Sequence, residues 1–157
     1  MAASAPESQV PGPAASAPAS TVDPVFSEID HTRTLFDQLG GEPVIRAIVD
    51  RFYDLMDIDA DLVQLRQAHG PRLDSARQKL FMFLCGYFGG PDYYVSQYGH
   101  PRLRARHLPF SIGEAERDQW VVCMGRALQD EGVAPALVDR LLQAFYGTAD
   151  WMRNRAG

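Results

Sequence analysis

Cysteine is scarce in this sequence: 157 residues carry only Cys85 and Cys123. That is too few for a disulfide scaffold, and with no Cys-x-x-Cys pair there is no zinc or redox motif of that kind. A reducing, cytoplasmic setting is the expectation. No apolar run reaches the roughly 18–20 residues of a membrane-spanning helix. The N-terminus also lacks the basic start and apolar stretch of a secretory signal. Basic excess is missing as well. The net charge is −5, and Glu7, Asp23, Glu28 and Asp30 supply four of the negative charges in a stretch without Lys or Arg. The near-neutral remainder argues against nucleic acid as a partner. Lysine itself is almost absent, with Lys79 alone beside 14 arginines. Several catalytic signatures are also lacking: no phosphate-cradling glycine loop, no Gly-x-Ser-x-Gly elbow and no His-Glu-x-x-His pair. Carboxylates are numerous but scattered on polar faces.

What is present divides the chain in two. Residues 1–30 are rich in Ala, Pro and Ser, and prolines at positions 6, 11, 13, 18 and 24 interrupt any helix. They read as a disordered extension that cannot bury enough apolar surface to offset its ordering entropy; a docking or regulatory tail is the alternative. Residues 31–157 read as one helical domain. Thr34 is placed to cap a short turn over Leu35–Leu39, which Gly40-Gly41 stops. Pro43 opens a helix carrying Ile45, Ile48, Val49, Phe52 and Met56 at helical spacing. Residues 57–72 read as irregular. From about Asp74 a second stripe runs through Ala76, Leu80, Phe83, Leu84 and Tyr87 to the break at Gly89-Gly90-Pro91. A short helix is expected around Tyr93-Tyr94, then a loop from Gly99 to Ser111. Ser111-x-x-Glu114 forms a candidate capping box. Beyond it, Trp120, Val121, Met124 and Leu128 mark one helix, and Val138, Leu141, Leu142, Phe145, Ala149 and Met152 mark the last. The expected class is all-α, with four longer helices and several short ones.

Four histidines are the main chemical lead: His31, His69, His100 and His107. None pairs with another at ligand spacing, which suits a cofactor that takes one protein ligand. Around His107, the apolar Leu103, Leu108 and Phe110 alternate with Arg102, Arg104 and Arg106. An apolar cavity with a cationic rim would suit a flat hydrophobic ligand bearing carboxylates, since arginine forks match carboxylates. An Arg-rich surface loop fits the bare pattern equally well.

The segments Gly40-Gly41, Arg51-Phe52-Tyr53, Phe83-Leu84, Gly89-Gly90-Pro91, Gly99-His100-Pro101-Arg102-Leu103-Arg104, Arg106-His107-Leu108-Pro109-Phe110 and Glu116-Arg117-Asp118-x-Trp120 stand in that order. Together, from about Leu35 to Met152, they resemble the group II truncated haemoglobins of bacteria. The resemblance implies a truncated globin-like two-over-two helical sandwich enclosing haem b. It assigns the proximal iron ligand to His107, the distal tyrosine to Tyr53 and the distal tryptophan to Trp120. The third distal position falls on His69 counting back from Lys79-Leu80, or on Arg66 counting forward from Tyr53. Ala76 stands where ordinary globins carry a distal His or Gln, and Leu80 becomes a pocket wall. Lys79, Tyr94 and Arg104 are candidates for the haem propionates, with His100 at the haem edge or structural.

The implied function is reversible binding of O2 and of other diatomic ligands such as NO and CO, in the oxygen binding and transport class. Oxidation of nitric oxide or peroxidase-like turnover, with a reductase as partner, would extend it. A haem-based sensor and a haem-free helical binding module are the alternatives. Either a monomer or a homodimer is compatible with the sequence.

Overall fold

A computed structural model describes residues 33–157. The extension expected over residues 1–30, and His31, lie outside the described residues. Among the described residues the secondary structure is helical throughout. The order is α1 (Leu35–Leu39), α2 (Glu42–Ile58), a 3-10 turn (Ala60–Leu62), α3 (Val63–Ala68), α4 (Asp74–Tyr87), α5 (Tyr93–Tyr98), α6 (Leu103–His107), α7 (Glu114–Asp130) and α8 (Pro135–Trp151). The all-α expectation of four longer helices and several short ones is met.

Helix α2 organises the rest because it packs on both α4 and α7, while α7 packs in turn on α8. Two helix pairs, α2 with α4 and α7 with α8, thus form the two layers of the sandwich. A helix flanked on two sides must bury more than one narrow stripe. Accordingly, Ile45, Ile48, Val49, Phe52, Tyr53, Leu55 and Met56 are all buried. Between α7 and α8 the approach is close at Gly125, where a Cβ would meet Leu142 Cδ1 at 2.9 Å.

Local chemistry sets several boundaries as read from the sequence. The Thr34 hydroxyl accepts from the Asp37 N–H at 3.1 Å, capping α1. Gly40 takes φ +117°, which side chains rarely adopt, and turns the chain into α2. Pro43 lies in the first turn of α2, where no intrahelical donor is lost. At the far end of α4, the Phe88 carbonyl accepts from the Phe36 N–H at 2.9 Å. Gly90 leaves room for the Phe36 ring, which a Cβ would strike at 2.5 Å.

Three expectations are corrected. Residues 57–72 are not irregular: they hold the 3-10 turn and α3. Asp59 caps the turn by accepting from the Asp61 N–H at 2.9 Å, and Gln119 of α7 accepts from the Leu65 N–H at 3.0 Å. That donor has no intrahelical partner in a first turn, so a distant side chain supplies one. Likewise, the loop expected from Gly99 to Ser111 contains α6. The expected Ser111-x-x-Glu114 capping box does not form, and only its glutamate half has a counterpart two residues on. Gly113 is the N-cap of α7, and Glu116, not Glu114, reaches back to accept from its N–H at 3.0 Å.

Candidate functional site

All eight helices but α1 frame one cavity of about 600 Å³, within the range of pockets that enclose a small molecule or cofactor. Helices α2 and α4 supply Tyr53, Ala76 and Leu80, and His69 enters from the C-cap of α3. Helices α5 and α6 supply Tyr94, Leu103 and His107, and α7 and α8 supply Trp120, Phe145 and Met152.

The two cavity histidines make the same local hydrogen bond. His107 Nδ1 lies 2.6 Å from the Leu103 carbonyl, one turn back on α6. His69 Nδ1 lies 2.8 Å from the Leu65 carbonyl, one turn back on α3. A carbonyl only accepts, so the proton of each neutral ring sits on Nδ1. Each Nε2 therefore keeps its lone pair. For His107 this is the tautomer that suits a metal-ligating imidazole, with the other ring nitrogen held by a backbone carbonyl. For His69 burial, before the charges of Arg66 and His107, holds the imidazole below its ordinary pKa, and the Leu65 contact opposes this only in part. His69 is thus neutral at neutral pH and presents an acceptor. Arg66, the alternative for this position, does not line the cavity. It bonds Asp57 at 2.9 Å and the Pro71 carbonyl at 3.2 Å.

Two donors remain unspent. Neither the Tyr53 hydroxyl nor the Trp120 indole N–H has a hydrogen-bond partner among the described residues. Burial pushes the Tyr53 phenol pKa upward, so it stays a neutral donor. Aromatic packing orients both. The Phe52 ring meets Tyr53 at 5.0 Å and Trp120 at 5.3 Å, and Trp120 meets Phe145 at 5.4 Å. The edge of His69 lies against Tyr53 at 5.7 Å.

The polar boundary of the cavity differs in part from the sequence reading. Arg72, Lys79 and Arg106 line it and have no carboxylate partner among the described residues. Arg117 also lines it, but Asp118 and Asp150 neutralise it at 2.9 and 2.8 Å. Of the expected positions, Tyr53, His69, Ala76, Lys79, Leu80, Tyr94, His107 and Trp120 come together. Arg104 does not; its guanidinium donates to the carbonyls of Trp151 and Arg153. Arg72 was not singled out by the sequence, whereas Arg106 stood among the arginines read as a cationic rim around His107. Leu103 and Phe110 reach the cavity, whereas Leu108 is 57% exposed. His100 does not line the cavity, and its Nδ1 accepts from the Arg102 N–H at 3.2 Å. That contact helps to hold Arg102 at φ +42°, the left-handed start of α6.

The donor set fits haem. Imidazoles with a free Nε2, His107 and His69, face an apolar chamber, and three cations without carboxylate partners suit two propionates. Among the described residues no group of three His, Cys, Asp or Glu side chains could hold a bare metal ion. Cys85 and Cys123 are buried free thiols outside the cavity lining. Burial pushes them up to about 11 and about 12, and Cys123 donates to the Phe52 carbonyl at 3.1 Å. Both behave as small core residues.

Comparison with known proteins agrees with this geometry. The family model described as bacterial-like globin matches residues 34–154. The chain is 35% identical over 115 residues to the group 2 truncated hemoglobin YjbI of Bacillus subtilis, covering 73% of this chain and 85% of that one. Among solved structures, it is similar to a cold-adapted truncated hemoglobin of Pseudoalteromonas haloplanktis. There the TM-score is 0.75 at 44% identity, over 78% of this chain and 99% of the other. It is also similar to the group II 2-on-2 hemoglobin of Agrobacterium tumefaciens, with a TM-score of 0.77 at 36% identity, over 82% and 98% of the two chains. With its two-over-two sandwich of helices, the chain belongs to the bacterial-like globin family, a family of haem-binding proteins.

Proposed function

We propose that this globin holds haem b through His107 and reversibly binds O2, with NO and CO as related ligands. Haem, when bound, supplies the iron coordination position at which a diatomic ligand attaches. The chain supplies everything around it. His107 offers Nε2 to the iron while Leu103 fixes the ring's tautomer and direction. Arg72, Lys79 and Arg106 are suited to the propionates, with Tyr94 beside them in the lining. Non-covalent retention is favoured, because neither cysteine lines the cavity.

The observation that carries the reading is the pair of unspent donors, Tyr53 and Trp120, in the same cavity as an imidazole with a free lone pair. A diatomic ligand that draws electron density to its outer atom is stabilised by such pre-oriented donors. His69 in its neutral tautomer adds an acceptor, not a third donor. Ala76 and Leu80 keep the neighbouring wall apolar. Two donors slow ligand release, which suits scavenging, sensing or redox use more than bulk transport. Oxidation of NO and peroxidase-like turnover are the redox extensions of the same pocket, and sustained turnover of either needs a reductase.

The test is the ultraviolet–visible spectrum of the full chain supplied with haem, taken ferric, ferrous and ferrous with CO, beside His107→Ala. Stoichiometric uptake with a histidine-ligated CO spectrum, lost or altered in the variant, is expected. Six-coordinate ferrous bands without added ligand would implicate His69 or Tyr53 as an internal ligand. Absence of stoichiometric uptake by the wild-type chain overturns the reading.

A further inference from the structure

The segment that follows α8 is bound to the stretch that follows the proximal histidine. Asn154 is the centre of this contact. Its Nδ2 donates to the His107 carbonyl at 3.2 Å and to the Phe110 carbonyl at 2.6 Å. Its Oδ1 accepts from the Ile112 N–H at 2.9 Å, and its own N–H donates to the Ile112 carbonyl at 3.0 Å. One side chain and one amide thus pair with four backbone groups between residues 107 and 112. On one side Arg155 pairs with Glu116, a buried carboxylate whose other oxygen caps α7. On the other, Arg104 of α6 donates to the carbonyls of Trp151 and Arg153.

A second observation points the same way. Gly113 sits at φ −112°, which any residue adopts, so conformation does not call for glycine there. Space does: a Cβ would meet the Gly157 carbonyl oxygen at 2.2 Å and Arg155 Nε at 2.8 Å. The end of the chain lies directly on the start of α7. Helix α6, by contrast, has only five residues and too few internal hydrogen bonds to hold its own direction.

We propose that residues 152–157 form a strap that positions the proximal imidazole, with Asn154 as the positioning residue for His107. The strap holds the last residue of α6 by its carbonyl and the following turn by three more backbone groups. The ring direction set by the Leu103 carbonyl is then referred to α7 and α8 and not to α6 alone. This inference rests on the haem reading for the iron ligand, but the strap itself does not.

The experiment compares wild type, Asn154→Asp and Asn154→Ala in the full chain, with helix content by circular dichroism as the folding control. Asn154→Asp is isosteric and keeps the acceptor for Ile112 while losing both donations from Nδ2. In the haem-loaded ferrous proteins, the iron–histidine stretching band in resonance Raman spectra is expected to shift and broaden in both variants. In the haem-free proteins, amide exchange at Ile112 is expected to rise roughly five-fold in Asn154→Ala and to stay near wild type in Asn154→Asp, as befits one hydrogen bond. An unchanged stretching band in both loaded variants overturns the positioning role. Unchanged exchange at Ile112 in Asn154→Ala overturns the strap. Failure of the wild-type chain to take up haem overturns the haem reading and the assignment of an iron ligand, while the exchange data still decide on the strap.

Discussion

His107 and His69 show how one backbone carbonyl decides what an imidazole can do. Each donates Nδ1–H to the residue four positions earlier, so each turns a lone pair outward. In His107 that lone pair is the proposed ligand for iron. In His69 it makes the neutral ring an acceptor, leaving donation to Tyr53 and Trp120, which have no other partner among the described residues. Replacing Tyr53 by Phe or Trp120 by Phe removes one donor while leaving an aromatic ring against Phe52. Each change should speed O2 release by roughly three- to ten-fold, the range for one hydrogen bond. Flash photolysis or stopped-flow mixing would check it. The double variant should fall short of the product of the two, because both donors address one ligand. An off-rate indifferent to Trp120→Phe would remove that residue from the ligand's surroundings.

At the scale of elements, the short helices depend on the long ones. Helix α3 has six residues and α6 has five, lengths at which an isolated helix does not persist in water. Helix α3 is held from α7, where Gln119 accepts from the Leu65 N–H, and the carbonyl of that same Leu65 orients His69. Gln119→Ala should cost about 1 kcal/mol of stability. More tellingly, it should raise amide exchange across Val63–Ala68 before any other element. Thermal melting and exchange mass spectrometry would measure the two effects. Uniform exchange throughout the chain would show that Gln119 stabilises the core in general and not α3. The long helices tie to one another through Arg51 with Asp130 at 2.7 Å and Arg117 with Asp150 at 2.8 Å. These are surface-exposed or partly exposed contacts that add little beside the buried stripe of α2.

Residues 152–157 pack back on α6 and α7, and pH reports on that contact. Glu116 is buried, and hydrogen bonding from Arg155 leads the causes that hold its carboxyl below the ordinary range. A depressed folded-state pKa stabilises the fold above the ordinary glutamate value and loses that contribution as pH falls through the lowered one. Arg155→Ala should therefore be less stable than wild type at neutral pH. The gap should close as pH drops below the ordinary carboxyl range of roughly 4–5. Denaturant titrations at several pH values would show it; a gap independent of pH would mean that Arg155 acts by packing alone. Among the described residues no helix is long and apolar enough to cross a membrane.

Periodicity was sufficient to read the four long helices, because burial on a packed layer imposes a 3.6-residue repeat that local sequence records. The Thr34 cap, the Gly40 turn and Pro43 were legible for the same reason: each effect is exerted within four residues. His107, Tyr53 and Trp120 were singled out by an ordered set of rare residues. What periodicity could not reveal was any partner far along the chain. Gln119 caps α3 from 54 residues away, and Asn154 holds Ile112 from 42. A side chain that satisfies a distant backbone group leaves no repeat and no local motif. The choice of His69 over Arg66 in the cavity, the absence of Arg104 from it and the presence of Arg72 were decided in the same way. Amino-acid order determined which segments are helices and which imidazole could serve as ligand. Only the tertiary structure decided which cations face the cavity and what holds that imidazole still, because both depend on hydrogen bonds between elements that meet only after folding.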